Sequence, residues 1–118
     1  MGIRLISMNS PLPLGVNMAY KRRILEEAAR EYRDIVSYLA TVLCCPDAAR
    51  GFMDEFEYQL DLVCEMPELY GLSHLKELAV LGYHPMRVKN YVALYKIVGD
   101  VVVIAHVFHQ SQDYAKLI

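Results

Sequence analysis

No stretch of the 118-residue chain approaches the roughly 20 apolar residues a helix needs to cross a bilayer, so no membrane-spanning helix is expected. Cysteine is scarce. Cys44, Cys45 and Cys64 are odd in number and lack metal-ligand spacing, and a vicinal pair is poor geometry for an ordinary disulfide. They read as packing thiols in a reducing cytoplasm, with an adventitious redox or metal site as the alternative, and no cofactor is implied. A cysteine nucleophile scores poorly too, since Cys44 and Cys45 fall at a helix end far in sequence from every histidine. The chain also lacks a glycine-rich phosphate loop, a CxxC, an HExxH and a nucleophile elbow. Positive charge is not in excess: 12 Lys plus Arg stand against 14 Asp plus Glu, a net −2, so the whole molecule is no electrostatic trap for nucleic acid. No internal repeat is visible, and no A-x-A cleavage site comes after the short apolar patch near Arg4.

What is present is a chain 55% apolar and 22% charged, the composition of a compact globular protein of one-domain length. Residues 1–17 stand apart. Their Ser10-Pro11-Leu12-Pro13-Leu14-Gly15 favours extended or turn backbone, and the regular pattern begins at Met18, the expected natural start. The alternative is a native arm whose Ile3-Leu5-Ile6 patch pairs with a sheet edge or a second copy.

From Ala19 to Leu25 the chain reads as a strand, and Glu26-Glu27 then favour a helix start through the macrodipole. Ala28, Tyr32, Ile35, Val36, Leu39 and Leu43 form an apolar stripe to about Cys44, with Arg30, Arg33 and Asp34 opposite. After a break at Cys45-Pro46, Asp47 can cap a second helix whose stripe is Ala49, Phe52, Met53, Phe56, Leu60 and Val63, ending before Pro67. Helices joined so closely pack as an antiparallel hairpin. Leu75, Leu78 and Leu81 suggest a short helical turn in the connection after it.

The segment Tyr83 to Val88 predicts a strand that Pro85 confines to an edge or a bulge. Tyr91, Ala93 and Tyr95 alternate with Val92, Leu94 and Lys96, and the β-branched run Val101 to Ile104 comes after a turn at Val98-Gly99-Asp100. The order strand, helix, helix, then three strands predicts an α+β fold, the hairpin covering one face of a small twisted sheet and the other face partly open. Five cations against three carboxylates between Lys76 and Ile118 place the acidic balance in the helical half.

Arg87, Lys89-Asn90-Tyr91, Tyr95-Lys96-Ile97, His109 and the closing Asp113-Tyr114-Ala115-Lys116-Leu117 carry a resemblance. In order and spacing they resemble the C-terminal half of the RelE/ParE superfamily of bacterial toxins, and with the upstream strand and helices the likeness spans residues 18–118. It implies a cytoplasmic growth-inhibiting toxin of a type II toxin–antitoxin, or plasmid-addiction, module, neutralised by a cognate antitoxin laid over the helix hairpin and the open sheet. The cellular target is then either the ribosome and its messenger RNA or DNA gyrase. An exposed sheet edge would allow a homodimer.

Metal-independent RNA cleavage needs a base, an acid and cations around the phosphate. The candidates are Arg87 as phosphate clamp, with His109 and Tyr114 for proton transfer. Lys89, Tyr91, Lys96, Gln110 and Gln112 are candidate target-binding residues, while His84 is in reserve and His106, inside an apolar run, reads as a structural histidine. Tyr91 and Tyr95, at period two, suit core or cross-strand packing better than base stacking, and Arg87 with Lys89 suit a solvated face and edge-strand safeguard as well as a functional role. Against the nuclease pattern, Val92 stands where such relatives place an arginine, and Gln110-Ser111-Gln112 replaces their basic segment. ParE-like inhibition of gyrase and RelE-like messenger RNA cleavage therefore stay near parity, tilted slightly from the nuclease. A non-toxic interaction module that keeps the fold is the alternative.

Overall fold

A computed structural model describes residues 19–118; the reading of residues 1–17 lies outside them. Strand β1 (Lys21–Ile24) leads into helix α1 (Glu26–Ser37), which continues as a π-helical turn, Tyr38–Val42. Helix α2 (Pro46–Glu65) and the short α3 (Lys76–Val80) precede strands β2 (His84–Val88), β3 (Tyr91–Val98) and β4 (Val101–His109), and a 3₁₀ turn, Tyr114–Leu117, closes the chain. The strands form one sheet in the order β1-β4-β3-β2, with β1 parallel to β4 and the other pairs antiparallel. Pro85 accordingly lies on an edge strand, as its missing N–H requires. Gly99 takes φ +62° as the first of two residues joining β3 to β4, a conformation that glycine adopts without steric cost.

The helix hairpin packs on one sheet face. Ala28 and Leu39 of the first helix and Ala49, Phe52, Phe56, Leu60 and Val63 of the second bury against Met86, Val88, Ala93, Tyr95, Val102, Ile104 and Val107. Arg22 of β1 pairs with Glu57 and Asp61, and the Tyr20 N–H donates to the Cys64 carbonyl at 2.7 Å, so the first strand is tied to α2 as well as to β4. Burial pushes the Cys64 thiol pKa up, against the opposing pull of nearby Arg22, which makes it an inert packing group.

Three expectations need correction. The second sheet face is closed over much of its area: Leu78 of α3, Tyr83, Val92, Leu94, Ala105 and Phe108 form a second buried cluster, with Tyr114 and Ala115 of the closing turn packed against it. A short α3 suffices because one residue, Leu78, reaches the sheet fully buried. Leu43 leaves the first helix's stripe and is 52% exposed, because the π turn, closed by Leu43 N–H to the Tyr38 carbonyl at 3.0 Å, adds a residue and rotates the helix end outward. Asp47 is not the cap of α2. Cys45 holds that position and Pro46 the first helical one, while Asp47 lies in the first turn and pairs with Arg50.

Tyr95 anchors the connection between α2 and α3. Its ring is fully buried and stacked on His84 at 5.0 Å, and its hydroxyl donates to the Pro67 carbonyl at 2.8 Å. His84 Nδ1 in turn meets the Tyr70 carbonyl at 2.8 Å. Burial pushes the Tyr95 phenol up to about 12. The folded state thus holds this proton more tightly than an unfolded tyrosine of pKa about 10, so Tyr95 contributes stability below pH about 10 that is lost as pH rises toward 12. Tyr95→Phe should cost about 1 kcal/mol at pH 8 by orphaning the Pro67 carbonyl. Urea midpoints of wild type and variant should converge between pH 10 and 12; a constant gap would refute the assignment.

Candidate functional site

Strand β4 is central at its start and an edge at its end. It pairs with β3 throughout, but β1 accompanies it only from Val101 to Ile104. Beyond that point α1 takes over: Glu31 Oε1 accepts the Val107 N–H at 2.9 Å, and Oε2 lies 3.4 Å from His106 Nδ1. The Glu31 and His106 side chains are only 16% and 18% exposed, so this carboxylate is the backbone's replacement partner in a place water barely reaches.

A bulge then decides where the end of β4 points. Leu94 faces His106 while Tyr95 faces Ile104, leaving Ala105 as an extra residue. Ala105 joins the second cluster, and from there alternation resumes one step out of phase. Val107 and His109 consequently share the helix-covered face with Val102 and Ile104, which unbroken alternation would have denied them.

His109 stands edge-on to its cross-strand partner Tyr91, ring centroids 5.2 Å apart, and Tyr91 in turn meets Phe52 of α2 edge-on at 5.0 Å. The Ser111 backbone N–H donates to His109 Nδ1 at 3.1 Å, and the Ser111 hydroxyl lies 2.7 Å from the same nitrogen. The His109 N–H donates to Gln112 Oε1 at 2.8 Å. These contacts hold the ring at one wall of an open depression of about 480 Å³, lined also by Glu31, Asp34, Ile35 and Tyr38 of the first helix. Burial pushes the Tyr91 phenol up, with Tyr38 adding to the shift, so Tyr91 serves as a neutral ring here.

The sheet separates the candidate residues. Arg87 pairs with Val92 and Tyr114 stacks on Phe108 at 5.9 Å, both on the face opposite His109. Lys96 is on that second face, its ammonium 4.5 Å from the Tyr83 ring centroid. Lys89 occupies the β2–β3 turn at φ +55°, its side chain running toward Gly51 of α2, and the Gln110 N–H bonds the Asn90 carbonyl at 2.9 Å. Only Tyr91, His109 and Gln112 of the candidates line the depression, and among the described residues no lysine or arginine does. Glu31, Tyr38 and Ser111 were missed from the sequence. Glu31 carried no signal there, since a glutamate on a surface helix shows nothing of the strand N–H it will meet. Among the described residues no group of carboxylates, histidines and cysteines is arranged to hold a metal, and no helix is long and apolar enough to cross a membrane.

A helix hairpin on a four-stranded sheet with this strand order defines a toxin fold of the RelE/ParE superfamily. Residues 23–114 match the family described as ParE toxin of type II toxin-antitoxin system, parDE, and the chain belongs to that family. Its fold is similar to a chain of the solved chromosomal ParDE toxin–antitoxin system from P. aeruginosa, with a TM-score of 0.61 at 15% identity, covering 77% of this chain and 96% of that one. No curated protein sequence matches.

The Glu31 junction yields a stability test. Glu31→Ala should cost about 1–3 kcal/mol by leaving the Val107 N–H unpaired, whereas Glu31→Gln, which keeps an acceptor oxygen, should recover most of it. Denaturant midpoints of the two variants measure this, and equal losses would show that the bond to Val107 contributes little.

Proposed function

We propose that this type II toxin arrests bacterial growth from the cytoplasm by ParE-like inhibition of DNA gyrase, without cleaving RNA, until a cognate antitoxin neutralises it. The observation that carries the choice of mechanism is the charge around His109. Stabilising a cleaved phosphodiester takes cations aimed at the phosphate, and each lost contact of that kind costs a few kcal/mol of transition-state stabilisation. The depression offers Glu31 and Asp34 instead, which repel phosphate. Arg87, the natural clamp, and Tyr114, a candidate acid, are on the opposite face. A net charge of −2 adds no long-range attraction for RNA.

Family membership supports the antitoxin as partner, and the exposed helix hairpin with Tyr38, Val42 and Leu43 at its apex offers apolar surface for it. Arg87 and Lys89, both exposed at one end of the sheet and free of ion pairs among the described residues, are the cations best placed to meet an acidic target surface.

Induction of the full chain in bacteria tests this reading. Growth should stop with messenger RNA intact and with altered plasmid supercoiling or DNA breaks; His109→Ala should leave the arrest in place. Rapid transcript cleavage abolished by His109→Ala or Arg87→Ala would establish a nuclease instead. Unimpaired growth with a soluble, folded protein would favour a module that keeps the fold without toxicity.

A further inference from the structure

The depression beside His109 sets aromatic walls around two carboxylates, Glu31 and Asp34, and no lysine or arginine lines it among the described residues. Tyr91 and Phe108 line it from the sheet and Tyr38 from the first helix, with Tyr38 47% exposed. Glu31 is engaged with the Val107 N–H and His106, but Asp34 at the rim makes no ion pair among the described residues. Arg30 and Arg33, its neighbours on the helix, make their ion pairs with Glu27 and Glu26, and Arg30 also feels the charges of Asp34 and Glu31 without pairing with either. From the rim, Val42 and Leu43, 66% and 52% exposed, continue the apolar surface along the π turn.

We infer that this depression receives the guanidinium of an arginine on a protein segment whose flanking apolar residues lie along Tyr38, Val42 and Leu43. A planar cation suits it on two counts. It can take a carboxylate in a paired, charge-assisted contact, and it stacks on tyrosine faces, which an ammonium does less well. Arginine is also among the residues that most often anchor interfaces from a central pocket. Nucleic acid is disfavoured by the same carboxylates. The inference deepens the reading of an antitoxin-neutralised toxin by naming what the neutralising segment presents, and it rests on that reading for the identity of the segment alone.

Titration of the purified full chain with N-acetyl-arginine amide, tracked through the amide resonances of Val107, His109 and Gln112, tests it. N-acetyl-citrulline amide, the uncharged isostere, is the control. Saturable shifts at those residues are expected, with the citrulline probe at least about fivefold weaker and the difference largely lost in Asp34→Asn. Shifts confined to other residues, equal response to both probes, or an unchanged preference in Asp34→Asn would overturn the inference. Because no growth is measured, failure here leaves the toxin reading standing, and a harmless protein that still prefers arginine would leave this site standing.

Discussion

The contact between Glu31 and the Val107 backbone is the constraint on which the arrangement of this protein turns. A central strand needs partners on both edges, and β1 is four residues long against the nine of β4. Where β1 stops, the chain turns into α1, and the first helix brings a carboxylate to the strand N–H that lost its ladder. The helix hairpin is thereby held to the sheet by a polar bond as well as by the buried cluster around Phe52, Phe56 and Ile104. The open end of β4 beyond this bond is where the depression forms, since among the described residues neither strand nor helix fills the space past Val107.

Two buried clusters, one on each sheet face, divide the polar residues between them. The larger lies under the hairpin and the smaller under α3 and the closing turn. Residues that look adjacent in the C-terminal motif are therefore separated by the thickness of the sheet. His109 belongs with Tyr91 and the first helix, Tyr114 with Phe108, and Arg87 with the exposed flank of β2. His109 and Arg87 therefore lie on opposite faces of the sheet. The carboxylates at the depression repel phosphate, and this is the ground for proposing a toxin whose action is binding.

Membership of the ParE family rests on the match over residues 23–114, and the likeness to a solved ParDE chain rests on the fold. The chemistry of an individual member is carried by a few surface charges. Such charges contribute little to stability, so the same packed frame accommodates either sign around its strand ends.

The strands, the two helices, the break at Cys45-Pro46 and the edge position of Pro85 were legible in the sequence, because each arises from local spacing, from a missing N–H or from a glycine-containing turn. The stripe of α2 was legible for the same reason. Leu43 was not, since one added residue in a π turn leaves the sequence pattern intact while rotating the helix end outward. The second cluster escaped because the spacing of Leu75, Leu78 and Leu81 predicts a helical turn but not the sheet face on which Leu78 packs. Above all, the face on which His109 lies was decided by the bulge at Ala105, and a bulge depends on how two strands register across the sheet. Local periodicity determined which residues are buried; long-range pairing determined which of the exposed ones meet.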